Sequence, residues 1–140
     1  MLLRADPKRP KQVNLRRAVS NAYYALFHAI TESGASQWRN AKQRQRFARF
    51  FDHGKMRQAA ERLIGRRNAI GGSPLGNVLQ LFVELQAARH TADYDSGTRW
   101  SRKEVLDLVQ AAEVALADWK KIEGDEVAQE ALLSMLGRER

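Results

Sequence analysis

The chain has 140 residues, enough for one domain with a core of useful size, and its 44% hydrophobic content separates it from disordered sequences. It contains no cysteine, which excludes disulfides, thiolate metal sites and a thiol nucleophile. The formal net charge is +8, and it is unevenly spread: from Arg39 to Arg67, ten basic residues stand against only Asp52 and Glu61.

Residues 1–10, with Pro7 and Pro10 and mixed charge, predict a flexible N-terminal arm. A first helix is expected from Lys11 or Val13 to about Glu32. Leu15, Val19, Ala22, Leu26 and Ile30 recur every three or four residues, the spacing of one apolar stripe on an α-helix. Tyr23 and Phe27 widen that stripe, and the polar Asn21, Tyr24 and His28 lie beside it. Only one of the two tyrosines can face the core. Gly34 is the expected stop.

Residues 37–52 are ambiguous: Trp38, Phe47, Phe50 and Phe51 have helical spacing, but Gln43-Arg44-Gln45-Arg46 buries little. A second core helix is expected from Lys55 to about Arg67 on Met56, Ala59, Ala60, Leu63 and Ile64. Gly71-Gly72-Ser73-Pro74 reads as a loop without the Gly-Lys-Ser/Thr ending of a phosphate loop. A third helix follows from Leu75 to His90, then a turn over Asp93-Tyr94-Asp95-Ser96-Gly97. Ser101-Arg102-Lys103-Glu104 has the pattern of a capping box and opens a fourth helix that stops near Gly124. A short last helix covers Asp125 to Leu136.

Four stripes of helical period and no alternating strand pattern predict an all-α protein. Short connections make it an up-down-up-down four-helix bundle over residues 11–124, with an additional short C-terminal helix and tail over 125–140. In such a bundle His28, His53, Arg89, His90, Asp93 and Tyr94 would gather at one end. The start of the chain lacks the apolar run of a signal peptide, and no stretch reaches membrane-spanning length, so a cytoplasmic protein off the membrane is expected. The eight apolar residues Trp38, Phe47, Phe50, Phe51, Leu132, Leu133, Met135 and Leu136 exceed what one small bundle buries comfortably and predict a homodimer.

Three stretches resemble one family. Ala22-Tyr23-Tyr24-Ala25-Leu26-Phe27-His28 on the first helix is similar to the opening helix of HEPN domains. Asp52-His53-Gly54-Lys55-Met56 resembles the His-Gly step before their second core helix, and Arg89-His90-Thr91-Ala92-Asp93-Tyr94 the Arg-x-x-Ala-Asp-Tyr run that closes their third. The resemblance spans roughly residues 11–120. It implies a helical bundle, commonly dimeric, that binds RNA or a nucleotide. It also implies a role as a metal-independent ribonuclease, or as a non-catalytic partner of a nucleotidyltransferase or antitoxin in toxin–antitoxin and defence systems. No cofactor is expected, and no metal site, since no two histidines share an i, i+4 helical face and there is no carboxylate cluster. The nuclease-active members carry Arg followed four to six residues later by His in a late helix. Here His90 directly follows Arg89, and Arg46 and His53 lie in another segment.

Two sets of candidate residues follow. His28, His53, Arg89 and Asp93 are the candidate catalytic groups, since imidazole titrates near neutral pH and a guanidinium steadies phosphate charge. Asn21, Tyr24, Arg44, Arg46, Arg49, Arg89, His90 and Tyr94 are the candidate binding residues. Each has a plainer reading as well. Arg89 and Asp93 stand four apart on a helix and can simply form an ion pair, His53 can be a cap, and the basic run can be a solvated face.

Overall fold

The computed structural model describes residues 11–66 and 73–140, so the expected arm over residues 1–10, Arg67 and the glycine pair Gly71-Gly72 lie outside it. Six helices follow in order: α1 Gln12–Ala35, α2 Ala41–Ala48, α3 His53–Gly65, α4 Pro74–Tyr94, α5 Arg102–Ile122 and α6 Glu126–Met135. Among the described residues there is no strand, only an isolated antiparallel bridge between Phe51 and Leu136.

The helix starts are written in local chemistry. Asn40, Asp52, Ser73 and Ser101 each accept a backbone N–H from the first turn that follows, satisfying an otherwise orphan donor. Ser101 Oγ accepts from the Glu104 amide at 3.0 Å, the serine half of the expected capping box. Ser73 caps α4 with Pro74 at its first turn, so these two residues open a helix and do not belong to a loop. The cap of α3 is Asp52, which makes His53 its first residue. The helix therefore starts two residues before the expected Lys55.

α1 runs three residues past Glu32 and takes Gly34 inside its last turn. The glycine is there for closeness: a Cβ on Gly34 would lie 2.9 Å from Cε1 of Phe47. The ambiguous stretch resolves into α2, a short helix with no fully buried residue, laid across the end of α1. α4 continues through Asp93 and Tyr94, beyond the expected end at His90, because the Asp95 amide still reaches the Thr91 carbonyl at 3.0 Å.

The main core joins five helices through Tyr23 and Leu26 of α1, Met56 of α3, Phe82 of α4, Trp119 of α5 and Met135 of α6, with Phe51 from the segment between α2 and α3. Each such side chain withdrawn from water contributes about 1.5–3 kcal/mol against the chain's lost freedom. A smaller cluster of Leu15, Val19, Ala92 and Val105 closes the other end of α1, with Trp100 packed on it. α6 supplies Ala128, Ala131, Leu132 and Met135 to the main core.

Helix directions correct the expected up-down-up-down order. The Gln12 amide pairs with both the N–H and the C=O of Trp100, while the Trp119 indole N–H reaches the Ala29 carbonyl and Ser33 Oγ. α1 and α5 therefore run the same way. α4 runs against α1, since Arg16 bonds the Ala92 carbonyl and Arg89 bonds Tyr24. The reason is the long link over residues 36–52, which carries the chain back along α1 and frees α3 from being its reversed neighbour. It is the start of α1, not its end, that meets the end of α4 and the start of α5.

Candidate functional site

That arrangement moves the polar cluster from the end of the bundle to its flank, halfway along α1. α1 presents Ser20, Tyr23, Tyr24 and His28 there, α4 presents Gln86, Arg89 and Asp93, and α3 contributes His53 from its first turn. The expected choice between the tyrosines falls one way: Tyr23 is buried and Tyr24 lines the cluster.

Arg89 is its centre. Its side chain is 17% exposed, and Nη2 donates to the Tyr24 hydroxyl at 2.7 Å. The guanidinium carbon lies 5.3 Å from the Tyr24 ring centre and 5.8 Å from those of Tyr23 and Tyr94, close enough for cation–π attraction. Nε is 3.1 Å from Asp93 Oδ2 but its N–H is not aimed at it, so the pair is electrostatic and not a hydrogen bond. Asp93 is itself held by Ser20, whose Oγ donates to Oδ1 at 2.5 Å. Burial works against the charge on Arg89, but Tyr24 and Asp93 outweigh it and push its pKa up.

His53 stacks on Phe27, ring centres 4.2 Å apart, and its Nδ1 is 2.6 Å from the Tyr23 hydroxyl. Burial, and then the Arg89 charge, push its pKa below the ordinary 6.5, so the ring is neutral at physiological pH. Burial also pushes Tyr23 well above the ordinary phenol value. That contact suits two tautomers of the neutral ring: with Tyr23 donating to Nδ1, Nε2 carries the proton, and with Nδ1 donating to the phenol oxygen, Nε2 keeps a lone pair. In the first tautomer His53 donates to an anion from Nε2, and in the second it can accept a proton there. Gln86 Nε2 holds the His53 carbonyl at 3.0 Å. His28 is exposed and stacks on Tyr24 at 6.1 Å.

The other candidates fall elsewhere. His90 is exposed and meets Tyr94 at 4.9 Å, and Tyr94 touches the cluster through its ring alone. Asn21 is exposed on α1. Arg44, Arg46 and Arg49 belong to α2 and its C-terminal cap, near Gly34, roughly 15 Å along α1 from Tyr24 at 1.5 Å per residue. Arg44 donates to the Trp38 and Arg39 carbonyls, and Arg46 Nε pairs with Glu139 at 2.5 Å. Two of these three guanidinium groups are thus engaged within the chain.

Ser20, Tyr23 and Gln86 were not among the candidate site residues, although Tyr23 stood on the α1 stripe. Their signal was spacing: Ser20 and Tyr24 stand four apart on α1, and Gln86, Arg89 and Asp93 share one face of α4. Among the described residues, no three His, Asp or Glu side chains converge as a metal site requires, and no helix is long and apolar enough to cross a membrane. Comparison with protein-family models, with curated proteins and with solved structures yields no match to the chain.

Proposed function

We propose that this chain is a HEPN-like domain that binds RNA or a nucleotide, with a phosphate seated on the α1–α4 flank between Arg89, His28 and the Nε2–H of His53. The observation that carries the reading is convergence. Three separate helices bring a guanidinium and two imidazoles around the Tyr24 ring. An all-helical chain with α1, α3, α4 and α5 as its core is compatible with that family's bundle.

The reading is of binding and not of cleavage. A ribonuclease of this kind needs a base for the ribose 2′-hydroxyl, and with Tyr23 donating to Nδ1, as we propose, His53 is a donor and not that base. His28 would have to act alone. The biological setting we propose is a toxin–antitoxin or defence pair acting in the cytoplasm.

Fluorescence anisotropy with a labelled single-stranded RNA and with a labelled nucleotide tests the proposal. His28→Ala and Arg89→Lys should each weaken binding, and removing the exposed His28 should leave the melting temperature unchanged. The triple variant of Arg44, Arg46 and Arg49 to Gln should flatten the salt dependence, since fewer counterions are released. Wild-type affinity in both His28→Ala and Arg89→Lys would refute the site. Metal-free RNA cleavage that disappears in His28→Ala would replace binding with catalysis.

The case for a homodimer is narrower than the sequence suggested. Of the eight apolar residues invoked, Phe51, Leu132 and Met135 are buried in the monomer's own core.

A further inference from the structure

The apolar residues that do not sink into the core form a groove of about 370 Å³ between α2 and the segment after α6. Trp38, Gln43, Arg46, Phe47, Phe50 and Leu136 line it. Trp38 is 44% exposed. A second groove of about 300 Å³ shares Trp38, Phe47 and Leu136 and extends the apolar strip to Leu133, itself 62% exposed. Together the two grooves have room for several apolar side chains.

The segments that line the first groove carry mostly one sign of charge, while α6 beside the second carries Glu126 and Glu130. Residues 37–50 and 136–140 contain seven arginines and lysines and a single acid, Glu139. That acid sits on Arg46 at 2.5 Å and pushes the arginine's pKa up through its hydrogen bond and its charge. It arrives on an extended peptide, with the Gly137 amide donating to the Phe50 carbonyl and the Arg140 amide to the Arg49 carbonyl. The chain's own tail thus shows the chemistry the rim accepts: a carboxylate presented by a peptide.

We propose that this groove docks an acidic, amphipathic segment of a partner protein. Its apolar side chains lie between Trp38, Phe47, Phe50 and Leu136, and its carboxylates on the arginine rim, one of them taking Arg46 from Glu139. An amphipathic helix is the usual occupant of an apolar groove, which its anchors at i, i+3, i+4 and i+7 enter from one face.

Two other occupants fit less well. A second copy would bring seven basic residues against seven. RNA bases stack on parallel aromatic faces, whereas these rings are tilted to one another: Trp38 to Phe47 by 40°, Phe47 to Phe50 by 43° and Phe47 to Phe51 by 72°. The polar edges of bases would find only Gln43 and Arg46 on the walls. The groove lies about 15 Å along α1 from Arg89 and does not depend on that site.

The test uses the full chain and a synthetic helical peptide with leucines at i, i+3, i+4 and i+7 and glutamates elsewhere. A lysine analogue and a single-stranded RNA are the competitors. The acidic peptide should bind saturably and shift tryptophan emission to the blue, and the shift should vanish in Trp38→Phe. Arg46→Glu should weaken it about tenfold at low salt, and Glu139→Gln should tighten it several-fold by freeing Arg46. Both substitutions are at exposed or rim positions, and a melting curve checks that each variant is folded. Equal binding of the lysine analogue, or an unchanged affinity in Arg46→Glu, overturns the proposal. So does RNA that displaces the peptide and produces the Trp38 shift itself, which would make the strip a nucleic-acid platform. A blue shift that grows with protein concentration and no peptide would assign the groove to a second copy.

Discussion

Arg89→Met keeps a linear, mostly apolar side chain in place of the guanidinium and deletes its charge. The structure sets the size of the effect. The lost bond to Tyr24 Oη, made by a charged donor at 2.7 Å in a side chain 17% exposed, accounts for about 1.5–3 kcal/mol. Cation–π attraction to the neighbouring rings adds about 0.5–2 kcal/mol. Asp93 keeps its Ser20 hydrogen bond and part of its hydration, so it adds little when its partner goes. A total near 3 kcal/mol corresponds to a melting temperature lower by roughly 10 °C in a chain of this size. Tyr24→Phe removes only the acceptor, and the double-mutant cycle with Arg89→Met should return a coupling of about 1–2 kcal/mol. Thermal melts of the four proteins at fixed pH and salt give all the terms. A loss under about 3 °C in Arg89→Met, with a coupling near zero, would refute the Tyr24–Arg89 geometry on which the flank is built. An exposed surface ion pair, the plainer reading of Arg89 and Asp93, predicts about 0–1 kcal/mol.

His53 makes stability depend on pH with a definite sign. Its folded pKa is held below 6.5, so the unfolded chain binds the extra proton. Stability should be complete above that value, decline as pH falls from 6.5 through the lower folded pKa, and level off beneath it. Denaturant melts across that range should show the slope, and His53→Asn should lose it. Arg16 donates to the carbonyls of Ala92, Asp95, Ser96 and Thr98. Arg16→Leu should cost about 1–3 kcal/mol and speed amide exchange over residues 95–100. Gly34→Leu places a side chain where Phe47 already sits and should cost about 1–3 kcal/mol, with proteolysis of α2 as the readout.

Much of the fold was legible because its cause is local. The stripe Leu15-Val19-Ala22-Leu26-Ile30 is buried as its period requires, and Ser101 caps α5 as its motif requires. Periodicity and capping act within a few turns of one helix, so a single sequence contains them. Arg89 and Asp93 were legible for the same reason, standing four apart on α4.

What spacing could not supply was direction and partner. The parallel run of α1 and α5 rests on contacts between residues about 90 apart, Gln12 with Trp100 and Ser33 with Glu123. Gly34 read as a helix stop because its neighbours along the chain suggest one. Its real constraint is Phe47, thirteen positions on. His53 read as a possible base, and only tertiary packing brings the Tyr23 hydroxyl of another helix to its Nδ1. The residue types and helical faces were determined by the sequence alone, because they follow from the 3.6-residue turn. Which faces meet, and so which polar groups pair, was decided by tertiary packing, because those energies arise between segments remote in the chain.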